Sequence, residues 1–169
     1  MDALIGLRGW HWRATDWTAA AVSGFAAGAI LMVLDLMWSS LFNAHGPWRT
    51  SHMIAPIFTG AGSLKTAGFE FSVGVVTIAL VIHYLMGILF GLFMGALMEQ
   101  FGLDETPERA WIGGAVVGAV LYVFNFFILV GAFPWLADLR GWDTFAAHML
   151  FGLVTALLYL RLKRTTREP

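Results

Sequence analysis

Four polar residues sit inside stretches that are otherwise almost wholly apolar: Asp35, His83, Asn125 and His148. Titratable or hydrogen-bonding groups are rare in such surroundings and mark either a clasp between helices or a site that does chemistry. Two histidines at one depth on separate helices are the donor set for axial ligation of a b-type haem, with Gly28, Gly118, Gly87 and Gly152 making room for a macrocycle. The same layer offers a metal His83, His148 and Asp35, with His45 or His52 dipping in from a loop. A proton, ion or quinone site is the third chemical reading. Against all three stands the structural one, in which the four residues satisfy each other and fix helix register; the simplest pairing sets Asp35 against one histidine and Asn125 against the other.

The elements that carry these residues follow from hydropathy. Of the 169 residues 59% are hydrophobic and 12% charged, with a mean hydropathy of +0.74, which places the chain in the membrane class. Four stretches, about 18–42, 73–98, 111–133 and 144–162, have the length needed to cross a hydrocarbon core of ~30 Å as helices. The prediction is an all-α integral membrane four-helix bundle forming a single transmembrane domain over 1–169. The first apolar run follows Arg8 and Arg13 and has no small-residue cleavage site, so it reads as an uncleaved span.

An even number of spans puts both termini on one side. Arg8, Arg13, Arg109, Arg161, Lys163, Arg164 and Arg167 share that side, against Arg49, Lys65 and Arg140 on the other, which predicts cytoplasmic termini in an inner membrane. Tryptophans 10, 12, 17, 111, 135 and 142 lie near span ends, as in a headgroup belt, and "LIGLRGWHWRATDW" reads as an amphipathic lead-in along the inner surface. In the connection 99–110, Thr106 is a predicted N-cap, Pro107 the first helical residue and Glu108 part of the first turn; Glu99, Asp104, Glu105 and Glu108 read as a solvated loop. The outer connection 43–71 holds "MIAPIFTGAG", too short to span, either re-entrant or a loop packed on the bundle. "RLKRTTREP" reads as a cytoplasmic stop touching anionic lipid.

The chain also aligns on itself. "SGFAAGAILMVLD" matches "GGAVVGAVLYVFN" without gaps, setting Gly24 on Gly114, Gly28 on Gly118 and Asp35 on Asn125; "HYLMGILFGL" matches "HMLFGLVTAL", setting His83 on His148 and Gly87 on Gly152. Matches among small apolar residues are cheap in membrane sequences, whereas matches between intramembrane polar residues are not. The pattern predicts two parallel-repeat helical hairpins related by an axis along the membrane normal. Counted at 1.5 Å per residue, the four polar residues fall at roughly 21–26 Å above the cytoplasmic helix ends.

Gly24 and Gly28, Gly114 and Gly118, and Gly87, Gly91 and Gly95 are spaced four apart, with Gly152 on the last helix; such strips let helices approach closely, within the bundle or in an oligomer. The aromatics of "LYVFNFFILVGAF" face either lipid or a neighbouring subunit or pigment. The scattered methionines read as packing. Cysteine is absent, as are HExxH, GxSxG, P-loop and GxGxxG signatures, and a formal charge of −1 leaves no basic stripe for nucleic acid.

At its two His-x-x-x-Gly motifs, "HYLMG" and "HMLFG", the sequence resembles uncharacterised bacterial four-helix inner-membrane proteins. The resemblance implies fold and membrane location but no activity. The functional expectation is a non-enzymatic accessory or structural subunit of a larger bioenergetic membrane complex, in contact with lipid and with other subunits or further copies of itself. The alternatives are a small bis-histidine haem b electron carrier and a proton, ion or quinone site protein.

Overall fold

A computed structural model describes residues 14–65 and 68–164. The lead-in before Thr15 and the last five residues lie almost wholly outside the described residues, and with them Arg8, Trp10, Trp12, Arg13 and Arg167. The described chain is helical, without strands, and holds four helices long and apolar enough to cross a membrane. These are α1 (Trp17–Phe42), α4 (Val73–Gln100), α5 (Pro107–Val123, continued by irregular turns to Gly131) and α6 (Trp142–Leu162). Two short helices, α2 (Arg49–Ile54) and α3 (Pro56–Thr59), lie in the long connection between α1 and α4.

Local chemistry sets the ends. Asp16 caps α1, its Oδ1 accepting from the Ala19 N–H at 3.0 Å, and Thr106 caps α5 by accepting from the Arg109 N–H at 3.3 Å, with Pro107 first in the helix. Helix α4 closes where Gly102 turns left-handed at φ +62°; the Leu103 N–H then reaches back to the Met98 carbonyl at 2.9 Å, satisfying a carbonyl the helix end would orphan. Helix α6 carries Asp143 in its first turn and Arg161 in its last, each matched to the dipole there.

The four long helices run antiparallel, so that α1 begins and α6 ends at the same end of the bundle, where the Arg164 N–H donates to Asp16 Oδ2 at 3.1 Å. This terminal end also holds the 101–106 turn; the opposite, loop end holds α2, α3 and the 132–141 connection. Helix α1 packs on α4, α5 on α6, and α1 along α6.

Small side chains occupy the helix interfaces: Ala19, Ala20, Ser23, Gly24, Ala27 and Gly28 are buried on α1, while Val22, Phe25, Ile30, Val33 and Met37 of the same helix are exposed. Large side chains point outward because lipid tails are as apolar as leucine. Close backbone approach then supplies the dispersion contact that holds helices together.

Candidate functional site

The structure brings one predicted pair of the polar layer together and separates the other. On α6 the His148 Nδ1–H donates to the Thr144 carbonyl at 2.8 Å, leaving Nε2 as the acceptor for the Asn125 amide Nδ2 at 3.0 Å. Tyr122 and Phe126 set their rings edgewise around the same imidazole, with centroids 5.9 and 5.3 Å away. His83 meets no side-chain partner of the layer: its Nε2–H donates to the Gly28 carbonyl at 3.0 Å. Asp35 accepts instead from Thr50 Oγ1 of α2 at 3.3 Å, which corrects the expectation that it pairs with a histidine.

The difference between the halves has a local cause. Helix α1 stays regular through Asp35, whereas α5 widens at Phe124–Ile128 into a π-helical turn closed by the Leu129 N–H on the Phe124 carbonyl. A π-turn inserts one residue into the helical repeat and re-aims the side chains beside it, here Asn125 toward α6. Arg140 braces the π-turn itself: its Nε donates to the Phe126 carbonyl at 2.7 Å while its guanidinium lies 4.4 Å over the Phe127 ring.

The residues present do not suit a bis-histidine haem. Iron would need an unshared ring lone pair from each histidine; His83, donating Nε2–H to the Gly28 carbonyl, keeps one on Nδ1, but His148 has both nitrogens engaged. The glycines leave no slot either. A methyl group at Gly91 would lie 2.6 Å from the Gly24 Cα, and one at Gly114 would lie 2.7 Å from the Gly152 carbonyl oxygen. Methyls at Gly24 and Gly152 would run into the carbonyls of Gly87 and Gly114, one at Gly118 into the His148 carbonyl, and one at Gly95 would lie 2.6 Å from Ala20 Cβ. Backbone fills the space at Gly118 and Gly152, and at Gly28 the neighbour is the His83 ring, 3.6 Å from where a methyl would sit; the strips make their close contacts within the chain. Among the described residues, no three His, Asp or Glu side chains converge as a metal site.

Helix α2 is packed onto the bundle, so the apolar part of the long connection is a cap on the loop end. Ser51, His52 and Met53 are buried. His52 Nε2 donates to the Glu70 carbonyl at 2.7 Å, Trp135 Nε1 to the Met53 carbonyl at 3.0 Å and Arg49 Nη2 to the Asp138 carbonyl at 2.7 Å. His45 and His52 both set their rings against Phe69, not into the layer.

No protein-family model, no curated protein and no solved structure matches this chain. Its chemistry therefore rests on the geometry of its own residues.

A second polar cluster, at the terminal end, escaped the sequence reading. Glu99 and Asp104 are 7% and 3% exposed, which corrects their assignment to a solvated loop. Tyr159, fully buried on α6, donates its hydroxyl to Glu99 Oε1 at 3.0 Å and accepts from the Asp16 N–H at 3.3 Å. Lys163 lies 3.6 Å from Glu99 and forms an ion pair with Asp104. Three helix ends and a turn thus share one network. The only hint in the sequence is a lone tyrosine one helical turn before a lysine, with its partners some sixty residues away. Glu105 behaves as expected of a surface loop, half-exposed and paired with Arg109.

The aromatic run of α5 divides by face. Tyr122 and Phe126 surround His148, and Phe124 meets Phe90 of α4 edgewise at 6.5 Å. Phe127 and Ile128 are exposed. A shallow groove of about 340 Å³ lies on the outer face of α1, lined by Leu36, Met37, Ser40 and Leu41, and a smaller one of about 140 Å³ lies beside Asp16 and Arg164. Neither is lined by a residue of the polar layer.

Proposed function

We propose that this chain is a non-enzymatic, multi-pass inner-membrane protein that serves as an accessory, structural subunit of a larger membrane complex. The observation that carries the reading is that the polar groups suited to chemistry are occupied within the fold: His148 by Thr144 and Asn125, His83 by Gly28, and Asp35 by Thr50. A polar layer used up in this way acts as a clasp that fixes helix register. The narrower assignment to a bioenergetic complex gains no geometric support, because among the described residues no three His, Asp or Glu side chains converge as a metal site and His148 has both ring nitrogens engaged. Purification from native membranes in mild, lipid-containing detergent tests the reading: co-migration with other subunits at fixed stoichiometry is the expected result, and a stable monomer without partners overturns it.

Two further parts of the reading have structural support. For duplication, aligned glycines make aligned contacts, Gly24 meeting Gly87 as Gly114 meets Gly152; Gly28 and Gly118 both lie against the aligned histidines, though Gly28 meets the His83 ring and Gly118 the His148 backbone carbonyl. For orientation, Arg109, Arg161, Lys163 and Arg164 lie at the terminal end and Arg49 and Arg140 at the loop end, which favours cytoplasmic termini.

A further inference from the structure

The smaller groove, at the terminal end, joins opposite charges to apolar surface at one depth. It lies where α1 begins and α6 ends, lined by Asp16, Thr18, Ala19, Val22, Leu162 and Arg164. Ala19, Val22 and Leu162 belong to the helices and make an apolar wall, whereas Asp16 and Arg164 lie beyond the helix ends and make a polar mouth. Val22 and Leu162 are half-exposed on spanning helices, so the wall faces acyl chains. Trp17, next to Asp16 in the chain and exposed, sets the mouth at headgroup level, where tryptophan prefers to sit. At about 140 Å³ the groove is well short of the ~300 Å³ that encloses a soluble ligand, so an occupant seats only part of itself there and lies along the surface.

Both charges at the mouth have bonding capacity to spare. Each Asp16 carboxylate oxygen takes one backbone N–H, Oδ1 from Ala19 at 3.0 Å and Oδ2 from Arg164 at 3.1 Å, and each such oxygen can accept two bonds. Arg164 is exposed, and among the described residues its guanidinium meets no carboxylate within 4.0 Å. Its own backbone N–H is the one that bonds Asp16, so the arginine side chain starts beside the carboxylate and its charge stays within electrostatic reach of it. The mouth therefore offers a cation and an anion side by side, neither neutralised by direct contact with the other.

We propose that this groove binds a phospholipid whose headgroup carries both a phosphate and a primary ammonium. The phosphate accepts from the Arg164 guanidinium, the ammonium donates to the spare lone pairs of Asp16, and the first methylenes of one acyl chain lie on Ala19, Val22 and Leu162. The charge pattern selects this class of lipid. A headgroup with a phosphate alone brings a second anion to Asp16 with nothing to offset it. A choline headgroup has the cation but no N–H to donate, and a serine headgroup sets a further carboxylate beside Asp16. The proposal needs only the bilayer contact of the long helices, not a partner subunit.

The full-length protein in detergent is mixed with phosphatidylethanolamine, phosphatidylcholine and phosphatidylglycerol of identical acyl chains, and the lipid retained on the folded protein is read by native mass spectrometry. Phosphatidylethanolamine is expected to be retained about three- to five-fold more than either competitor, the factor that one partly exposed charge pair supplies. Asp16→Asn is expected to bring it down to the level of phosphatidylcholine, whose own retention stays unchanged; Arg164→Gln is expected to lower both. The Asp16→Asn result is a ratio between lipids bound by the same folded population, so a loss of stability does not imitate it. Equal retention of the three lipids overturns the proposal and leaves annular contact only, and a preference for phosphatidylglycerol overturns it as well. A phosphatidylethanolamine preference that persists in Asp16→Asn, or retention unchanged in Arg164→Gln, places the bound lipid elsewhere and also overturns it.

Discussion

The Asn125 amide nitrogen lies 3.0 Å from His148 Nε2, and because His148 Nδ1 donates to Thr144, that contact sets the protonation of the whole ring. A neutral imidazole with its proton on Nδ1 is the only form that satisfies both bonds. Nitrogen-15 spectra of the histidine-labelled protein are expected to show a protonated Nδ1 and an unprotonated Nε2 for His148. Asn125→Leu leaves that acceptor unpaired inside the bundle and is expected to lower stability by about 1–2 kcal/mol in bicelle unfolding measurements.

Close packing at the α1–α4 seam predicts a contrast between two glycines. A methyl at Gly24 would collide with the backbone of Gly87 and lie 2.6 Å from the Gly91 Cα, whereas Gly74 of α4 has nothing within 4 Å of the same position. Backbone cannot swing aside as a side chain can, so Gly24→Ala is expected to cost about 1–3 kcal/mol. Gly74→Ala is expected to be neutral or slightly stabilising, since alanine is the better helix former. Thermal midpoints of the two variants in the same detergent check the pair.

Thr155 is fully buried on α6, and its hydroxyl has no hydrogen-bond partner. An unpaired hydroxyl in an apolar interior is a cost that a methyl of the same shape removes. Thr155→Val is expected to stabilise the protein by about 1 kcal/mol in the same unfolding measurement. A loss of stability would show that the hydroxyl has a partner in the membrane.

At the terminal end, backbone N–H groups of Ala19 and Arg164 bond the Asp16 carboxylate and hold its pKa below the usual carboxylate range. Folding therefore favours the ionised form. Its contribution is complete above the ordinary carboxylate pKa and is lost as pH falls through the lowered folded value. Asp16→Asn keeps one side-chain oxygen but abolishes the titration. The parent's advantage over this variant is expected to be constant near neutrality and to shrink below about pH 4, measured as the difference in thermal midpoint.

Hydropathy and small-residue spacing were enough to find the four long helices, the Thr106–Pro107 start of α5 and the faces that become buried, because each is written in a local pattern. The polar layer was legible as a set of residues but not as a set of bonds. Which histidine finds a partner depends on a π-turn at Phe124–Ile128 and on a cap helix that takes Asp35, and neither leaves a periodic mark in the sequence. The Tyr159–Glu99–Lys163–Asp104 network was hidden for a different reason. Acidic residues between two spans look solvated until the chain ends that cover them are in place.

Because the glycine seams are closed by the chain's own backbone, whatever associates with this protein in the plane of the membrane meets a surface of bulky side chains such as Val81, Leu85, Leu89 and Phe93 on α4. Helices that meet through such side chains stay at ordinary packing distance, about 8–10 Å between axes, and compete at every contact with acyl chains of equal apolarity. Annular lipid then becomes a third component of any assembly, and its removal during extraction is expected to dissolve the assembly before it unfolds the bundle.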